Sequence, residues 1–258
     1  MSDLLQSVRE GRLLHLTLNR PEKRNALNSA LCRVLVDALD AAARDRFVGA
    51  ILLSGNGKAF CAGMDLKETA GPCDLRQIDA LHEHLFTVYT RLQKPLIGAI
   101  QGAALGGGMG LVSNCHIAVA APDASFGLTE IRLGLWPFLV YRGVSAALGE
   151  RRTLELALTG RTFSAAEARE AGLIHEVAAD PLARALEIAR GVAETSPAAI
   201  QGGLSFVQQV RGLDWTRAGA VARKVREEAF GSEDVAEGIR AFLEKRPPRW
   251  PSLKESMP

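Results

Sequence analysis

Short apolar runs alternate along the chain with longer segments that have helical periodicity. Leu13 to Asn19 alternates between apolar and polar residues like a strand, whereas Val48 to Ser54 is an almost continuous apolar run. Leu96 to Ile100 and Ile117 to Ala121 have the same continuous character. These four runs predict strands, most of them buried on both faces.

The segments between these runs predict helices. Asn28 or Ser29 can cap a helix that runs to about Arg44 and has a stripe of apolar residues on one face. Asp74 to Leu92 predicts a second helix, and Leu105 to Ser113 a short one. Because strands and helices alternate, we expect a parallel-type sheet with crossover helices.

Helical patterns dominate after about Arg142, and only Ile174 to Val177 looks like a strand there. The predicted helices are Gly149 to Thr159, Ser164 to Ala171, Pro181 to Thr195, Pro197 to Val210, Asp214 to Phe230 and Ser232 to Lys245. The sequence has no internal repeat and no low-complexity linker. It therefore predicts one α/β core with a helical C-terminal portion.

Composition narrows the class of partner. Hydrophobic residues make up 47% and charged residues 23% of the 258 residues, which suits a globular protein with a sizeable core. The 31 basic and 29 acidic residues leave a net charge of +2, so no global charge points to nucleic acid or an anionic membrane. A local basic patch that binds a phosphorylated ligand remains possible.

No segment of the sequence predicts a membrane span or an export signal. Pro95 to Ala121 is the most apolar stretch, but glycines and the polar Gln101, Asn114 and His116 interrupt it. The N-terminal sequence MSDLLQSVREGR lacks the long apolar segment of a signal peptide. We expect a soluble cytoplasmic protein.

The four cysteines predict no metal site. Cys32, Cys61, Cys73 and Cys115 form no CxxC pair, and no His/Cys group has zinc-ligand spacing. Their expected role is that of small apolar residues in a reduced cytosolic protein.

Two segments are candidates for binding chemistry through the backbone. Lys58 to Glu68 (KAFCAGMDLKE) follows a predicted strand, and Ala62-Gly63 leaves little side-chain bulk where the chain bends. Ala104 to Gly110 (ALGGGMG) has three consecutive glycines before a predicted helix, whose N-terminus supplies oriented N–H donors. The glycine run matches neither the GxGxxG nor the P-loop pattern. Taken alone, it fits tight packing of a helix onto a sheet equally well.

Taken together and in order, three motifs closely resemble the enoyl-CoA hydratase/isomerase (crotonase) family. They are KAFCAGMDLKE, KPLIGAIQGAALGGGMGL and ASFGLTEIRLGL, and the stretches LNRPEKRNALN, LTGRTFSAAEAREAGLIHEV and FLEKRPP extend the resemblance over nearly the whole chain. The resemblance implies an α/β, crotonase-like (ClpP/crotonase) fold with a spiral core of ββα units over residues 1–195. Residues 196–258 would form a C-terminal helical oligomerisation region, in a homotrimer or a dimer of trimers.

The resemblance also implies an oxyanion hole. The residue before the Asp of the AGxD segment, here Met64, and the middle glycine of the GGG run, here Gly107, would each donate a backbone N–H to a thioester carbonyl. Negative charge develops on that oxygen when a neighbouring proton is removed, and preorganised donors stabilise it. The implied substrate is an unsaturated acyl-CoA thioester.

Binding residues for coenzyme A follow from the same resemblance. The backbone around Ala62, Met64, Asp65, Leu66 and Gly107 would contact the substrate. Arg24 and Ala26 would lie along the CoA channel, where Arg24 could offer charge to a phosphate; a solvated turn residue is the alternative for Arg24. Coenzyme A is part of the substrate, so no separate cofactor is expected.

The sequence departs from the family's hydratases at one acid. Those hydratases have two glutamates, of which the second is present as Glu130 and the first is replaced by Gly110. Moving a double bond needs only one base that removes a proton and returns it elsewhere, so the single acid favours isomerisation over hydration. A water in the vacated space would keep hydration possible.

For several nearby residues, the sequence leaves open whether they act at this site. Asp65 is expected to be structural; His82 and His84 should lie on different helix faces as solvated or capping residues. His116 is expected to be buried and hydrogen-bonded. Trp136, Phe138 and Tyr141, in a loop from Gly134 to Arg142, could shape an acyl pocket or simply pack the core.

Two other functional classes remain. A thioester hydrolase on the same fold would need a nucleophile such as Ser113 beside a histidine. A non-catalytic protein that binds CoA thioesters would keep the fold without turnover. A serine-directed reagent tests the first, and binding without turnover identifies the second.

Overall fold

The computed structural model, which describes residues 3–71 and 74–253, contains two β-sheets. The larger has six strands, in the spatial order β1 (Leu5–Glu10), β2 (Leu13–Leu18), β3 (Ala50–Gly55), β5 (Leu96–Ile100), β7 (Ile117–Ala120) and β10 (Glu176–Val177). The smaller has the order β4 (Ala59–Cys61), β6 (Ala103–Leu105), β8 (Ser125–Gly127) and β9 (Thr162–Ser164). Pairing is parallel except between the first two strands of the large sheet and the last two of the small one.

Successive turns of the chain feed both sheets. β3 is followed by β4, β5 by β6, and β7 by β8, so each turn adds one strand to each sheet before a helical connection. This is the spiral of ββα units that we expected, and the crotonase-like fold is confirmed. The Cα register is in step: Ile97 pairs with Ile117 in the large sheet, and Ala104 with Phe126 in the small one.

Helices connect and cover the sheets. They are α1 (Ser29–Arg44), α2 (Leu66–Thr69), α3 (Leu75–Phe86), α4 (Gly107–Asn114), α5 (Phe138–Leu148), α6 (Glu150–Thr159), α7 (Ala165–Glu170), α8 (Pro181–Ala193), α9 (Pro197–Val210), α10 (Trp215–Phe230) and α11 (Glu233–Leu243). The helical C-terminal portion is confirmed, whereas its division from the core at residue 195 stays a prediction. Among the described helices, none is long and apolar enough to cross a bilayer.

The large sheet is buried on both faces because its strands have apolar residues at successive positions. On β3, Ile51 and Leu53 face the main core, which includes α1, while Ala50 and Leu52 face a second cluster beneath α8. All four are 1% exposed or less. Burying each large aliphatic side chain contributes about 1.5–3 kcal/mol, so the continuous apolar runs stabilise both layers.

Helix α1 shows how the local sequence sets a boundary. The Asn28 side chain accepts a hydrogen bond from the Leu31 N–H at 3.0 Å and so caps the helix. Leu31, Leu35 and Leu39 lie one turn apart on the buried face. The predicted start and end of this helix are both confirmed.

Other predicted elements need correction. The helix expected over Asp74 to Leu92 ends at Phe86, and a short 3₁₀ turn follows at Val88–Thr90. The segment from Gly134 to Arg142, predicted as a loop, becomes helix α5 at Phe138. Strands β1, β4, β6, β8 and β9 were not predicted. Three-residue strands are too short to show a period of two, and in β1 only Leu5 is buried, so its pattern is polar.

The cysteines have the environment that we expected where they can be described. Cys32 and Cys61 are buried free thiols, and Cys115 is a partly buried one. Burial raises the pKa of Cys32 and Cys115 to about 12, so neither thiol ionises near neutral pH. Cys73 lies outside the described residues.

Candidate functional site

The segment after β4 turns so that the N–H of Met64 is left free. The Leu27 N–H donates to Gly63 O at 2.7 Å, and the Asp65 N–H donates to Leu27 O at 3.0 Å. These bonds use the residues on both sides of Met64, which itself forms an isolated parallel bridge with Leu27. Because peptide groups alternate in direction along a strand, the Met64 N–H points away from Leu27. Gly63 has a φ of +94°, a value that glycine adopts without strain.

The second segment presents the first turn of helix α4. Strand β6 ends at Leu105, Gly106 turns with a φ of +51°, and the helix begins at Gly107. The first N–H groups of a helix have no acceptor within it. Within residues 3–71 and 74–253, neither the Met64 nor the Gly107 N–H has a hydrogen-bond partner.

Glycines allow these two segments to touch. A side-chain carbon added to Gly63 would lie 2.9 Å from Leu105 O, which is too close, and 3.5 Å from Gly107 N. At Gly108 the added carbon would be only 2.1 Å from Cys61 O. The close approach of the two backbones therefore requires residues without side chains, and it brings two free N–H donors to one place.

Glu130 lies beside the glycine turn. It begins a 3₁₀ turn, Glu130–Leu133, after β8, and a side-chain carbon at Gly106 would lie 3.0 Å from Glu130 Oε1. Its Oε2 is buried and has no hydrogen-bond partner among the described residues. Burial disfavours the charged carboxylate and raises the pKa of Glu130. A carboxyl group tuned in this direction is suited to transferring protons near neutral pH.

These groups line one cavity of about 400 Å³. Met64, Gly106, Gly107 and Glu130 form part of its wall. Most of the other wall residues are apolar: Leu27, Phe86, Leu133, Leu135, Trp136, Pro137, Phe138, Leu139 and Val140. Such a cavity has the size and mixture of surfaces of a small-molecule site, with a few polar groups on an apolar wall.

The place of the missing first acid is occupied. A side-chain carbon at Gly110 would lie 2.4 Å from Val140 Cγ1 and 3.0 Å from Phe86 Cδ1. These apolar side chains come from α5 and α3, and both line the cavity. The space in which a water could have replaced the missing acid is therefore filled by these two side chains. Sequence reasoning missed both residues, since nothing in their local pattern marks them as neighbours of Gly110.

The residues expected to contact coenzyme A gather beside Met64. The Ala62 N–H donates to Arg24 O at 3.0 Å, and Ala26 O accepts from Arg20 Nη1 at 2.5 Å. Arg24 is exposed, in a left-handed conformation with a φ of 51°. Ala62 and Leu66 line the cavity with Met64. The structure thus places all of these predicted positions in one region.

Asp65 has a structural environment. Its carboxylate forms an ion pair with Arg20 at 3.0 Å and accepts from the Lys67 N–H at 3.2 Å, which caps α2. Burial opposes ionisation, but the hydrogen bond and charge of Arg20 outweigh it and lower the pKa of Asp65. A carboxylate held ionised in this way secures the bend that carries Met64. The geometry agrees with the structural role expected for this residue.

The three histidines considered from the sequence differ from one another. His84 is exposed and lies 2.9 Å from Asp40. His116 accepts from the Leu96 N–H at 3.0 Å as expected, but it is only partly buried. His82 is only 6% exposed and lines the cavity, so the expectation of a solvated or capping residue is wrong. His82 follows Ile78 by one helical turn on the buried face of α3, and that spacing was the available signal.

The aromatic residues after Glu130 divide between the two roles considered. Trp136 and Phe138 line the cavity. Tyr141 is not among the described lining residues, and its ring lies 6.2 Å from that of Trp136. Ser113, the nucleophile considered for a hydrolase, donates to Gly110 O at 2.8 Å and lines a separate cavity. Its hydroxyl is therefore engaged away from Met64 and Gly107.

Comparisons with known proteins agree on one family. A sequence model described as enoyl-CoA hydratase/isomerase matches residues 9–253. A 2,3-dehydroadipyl-CoA hydratase of Escherichia coli is 37% identical over 96% of this chain and 98% of its own. An enoyl-CoA hydratase of Mycobacterium tuberculosis is 36% identical over 94% of each chain. The crystal structure of an enoyl-CoA hydratase from Bacillus anthracis has a TM-score of 0.92 at 31% identity, covering 96% of this chain and 99% of that one.

Proposed function

Because the chain belongs to the enoyl-CoA hydratase/isomerase family, we propose that it moves a double bond along the acyl chain of a CoA thioester. Glu130 is the single acid/base, and the N–H groups of Met64 and Gly107 bind the thioester oxygen. One observation carries the choice of reaction: Val140 and Phe86 fill the space next to Gly110, where a second acid would project. Proton transfer then falls to Glu130 alone.

The reaction follows from the positions of these groups. The thioester carbonyl accepts hydrogen bonds from both N–H donors, and the Glu130 carboxylate removes a proton from the acyl chain. The electron pair of that C–H bond moves into the conjugated system and onto the carbonyl oxygen, which becomes an enolate oxyanion. Glu130 then returns the proton to another carbon, and the double bond has shifted. Each N–H donor of such a hole contributes about 10²–10³ in rate.

Binding of the CoA portion uses the neighbouring turn. We propose that the backbone at Ala62, Asp65 and Leu66, together with Ala26, runs along the pantetheine and adenine portions. The exposed guanidinium of Arg24 is free to approach a phosphate, to which arginine binds well. The Arg20–Asp65 ion pair keeps this turn in place without contacting the reacting atoms.

Hydration is the second candidate, because the relatives named above have hydratase names. Those names do not support the preference for isomerisation that the single acid suggests. Hydration here would require Glu130 both to activate the water and to supply the α-proton. A binding protein without turnover and a thioester hydrolase are the remaining outcomes of the test.

Incubation with 2-enoyl-CoA and 3-enoyl-CoA in deuterated water distinguishes the candidates by product mass. We expect interconversion of the two thioesters with deuterium exchange and no gain of water. A product that gains one water contradicts the isomerase proposal and establishes hydration. Release of free CoA identifies a hydrolase, and binding of either thioester without any product identifies a non-catalytic protein.

The C-terminal helices support a proposal about assembly. Trp215, Phe242 and Leu243 are 95%, 83% and 74% exposed, which is a large apolar exposure for a surface in water. We propose that these helices form contacts in a homotrimer or a dimer of trimers. Native mass spectrometry of the full chain counts the subunits, and a monomer at micromolar concentration contradicts the proposal.

A further inference from the structure

One polar side chain in the cavity wall has no part in the proton transfer described above. His82 lies on the buried face of α3, one turn from Ile78 and one turn from Phe86, which are 7% and 6% exposed. Its Nε2 is buried and has no hydrogen-bond partner among the described residues. A buried polar atom without a partner costs about 1–3 kcal/mol, so a histidine on this apolar face calls for a ligand that satisfies it.

His82 lies beside Phe86, a side chain that reaches the start of helix α4. Its ring centroid lies 5.9 Å from that of Phe86. Phe86 in turn reaches the helix start, since a side-chain carbon at Gly107 would lie 3.1 Å from Phe86 Cζ. Phe86 therefore lies next to both His82 and the proposed thioester position, and His82 and Phe86 line the same cavity.

The charges around the cavity limit what His82 can bind. The ionisable residues that line it are Asp79, His82, Glu83 and Glu130, and among the described lining residues none is Lys or Arg. Burial lowers the pKa of His82, although the charges of Asp79 and Glu68 act in the opposite sense, and the imidazole is neutral at neutral pH. A carboxylate on the acyl chain would be repelled by the acidic groups and would find no cation.

We infer, on the basis of the proposed function, that His82 selects acyl-CoA thioesters whose acyl chain carries an uncharged hydrogen-bonding oxygen, a hydroxyl or a ketone. Neutral imidazole can donate to a carbonyl or accept from a hydroxyl, so either oxygen satisfies it. The apolar residues that line the same cavity, including Phe86 and Trp136, contact the rest of the acyl chain. A site built to hydrogen-bond a substrate group rejects the analogue that lacks it, because the site's own polar atom is left unpaired.

The test compares three kinds of CoA thioester of equal chain length. The first has a plain alkyl chain, the second is a series with one hydroxyl placed on each acyl carbon in turn, and the third ends in a carboxylate. For at least one hydroxyl position we expect kcat/KM to exceed that of the alkyl chain by about 10-fold, the value of one net hydrogen bond. The carboxylate should fall below the alkyl chain.

Variants at position 82 test whether His82 causes the preference for the hydroxyl. In His82→Phe the ratio of hydroxyl to alkyl kcat/KM should fall to about one, while His82→Gln, which keeps a donor and an acceptor, should retain part of it. His84→Gln, on the exposed face of the same helix, is the matched control and should keep the wild-type ratio. An unchanged ratio in a folded His82→Phe variant, or equal loss on all three thioesters, overturns the inference.

Binding measured without turnover separates this inference from the proposed reaction. Calorimetry with saturated acyl-CoA thioesters, with and without the hydroxyl, reports the same selectivity for wild type and variants. If no enoyl thioester reacts but the hydroxyl preference in Kd depends on His82, the reaction proposal fails and the inference stands. If isomerisation proceeds but no variant changes the Kd ratio, the inference fails and the reaction proposal stands.

Discussion

Two parts of one cavity wall differ in what they offer a bound thioester. The carboxyl wall, formed by Gly106 and Glu130, holds a partly buried acid whose Oε2 has no partner among the described residues. The apolar wall, formed by Phe86 and Val140, packs against Gly110 and holds no ionisable group at the place where the resemblance implies the first of the two hydratase glutamates. Of these two parts, only the carboxyl wall holds a group that can transfer a proton.

The comparison shows that the missing acid is replaced by packing. A glycine among large apolar neighbours can leave a cavity, but here the Val140 and Phe86 side chains reach the space that a residue at 110 would need. Because protein interiors resist rearrangement, a water could enter there only if these side chains moved. The replacement of one carboxylate by Gly110 therefore occurs together with apolar side chains from α5 and the end of α3 that fill its space.

The largest expected effect comes from removing the acid of the carboxyl wall. Glu130→Gln keeps the size of the side chain and its place beside Gly106, but it cannot accept a proton. We expect kcat to fall by about 10²–10⁴, the usual contribution of a positioned acid/base, while the Kd for a saturated acyl-CoA stays near that of wild type. Stopped-flow turnover and calorimetry measure the two quantities.

The matched control for this variant is Glu170→Gln, at the exposed end of α7, which should leave kcat unchanged. Wild-type turnover in Glu130→Gln would mean that another group transfers the proton. A parallel loss of binding would instead mean that the substitution disturbs the cavity as a whole.

The next prediction tests the apolar wall by placing an acid in it. Gly110→Glu must displace Val140 Cγ1, so we expect the free energy of unfolding to fall by about 1–3 kcal/mol. Adding Val140→Ala to the same chain removes that atom and should recover part of the loss. If the second acid then reaches the substrate, hydration of 2-enoyl-CoA should rise by about 10², the lower end of the effect of a positioned proton-transfer group.

Denaturant titration and product mass analysis measure these two effects, with Val140→Ala alone as the control for added space. A Gly110→Glu chain as stable as wild type would show that the space is not filled. A rise in hydration in Val140→Ala alone would show that room for water, rather than the acid, limits the reaction.

The sequence predicted the central strands and α1 because their signals are long and local. Strands such as β3 and β5 are continuous apolar runs, and the capping residues Asn28 and Ser29 mark the start of α1 within one position. Strands β4, β6 and β8 have three residues each and no readable period, although β4 and β6 lead directly into Met64 and Gly107. The joint motifs of the family, rather than periodicity, predicted where these two residues lie.

The contents of the cavity wall could be predicted only in part. Glu130 stands in a motif, but Val140 and Phe86 meet Gly110 only after α3, α4 and α5 have packed together. His82 was predicted to be a solvated or capping residue, although its spacing from Ile78 and Phe86 places it on the apolar face of α3. Tertiary packing decides such positions, and a single sequence shows it only indirectly.

The smallest expected effect concerns how much the buried carboxylate of Glu130 lowers the free energy of unfolding. Burial raises the pKa of Glu130 above its ordinary value of 4.5, so the unfolded chain releases this proton at a lower pH than the folded protein. The stability that the protonated group contributes is present in full below pH 4.5 and is lost as the pH rises through the folded pKa. Glu130→Gln should therefore raise the free energy of unfolding by about 1 kcal/mol at pH 8 and leave it unchanged at pH 4. Urea titrations at the two pH values measure the difference, and an equal effect at both would show that the buried charge is not its cause. The same raised pKa should also appear in the kinetics. In the wild type, kcat/KM should fall as the pH drops through the pKa of Glu130, because only the ionised carboxylate removes a proton. The residual activity of Glu130→Gln should not show this fall at low pH.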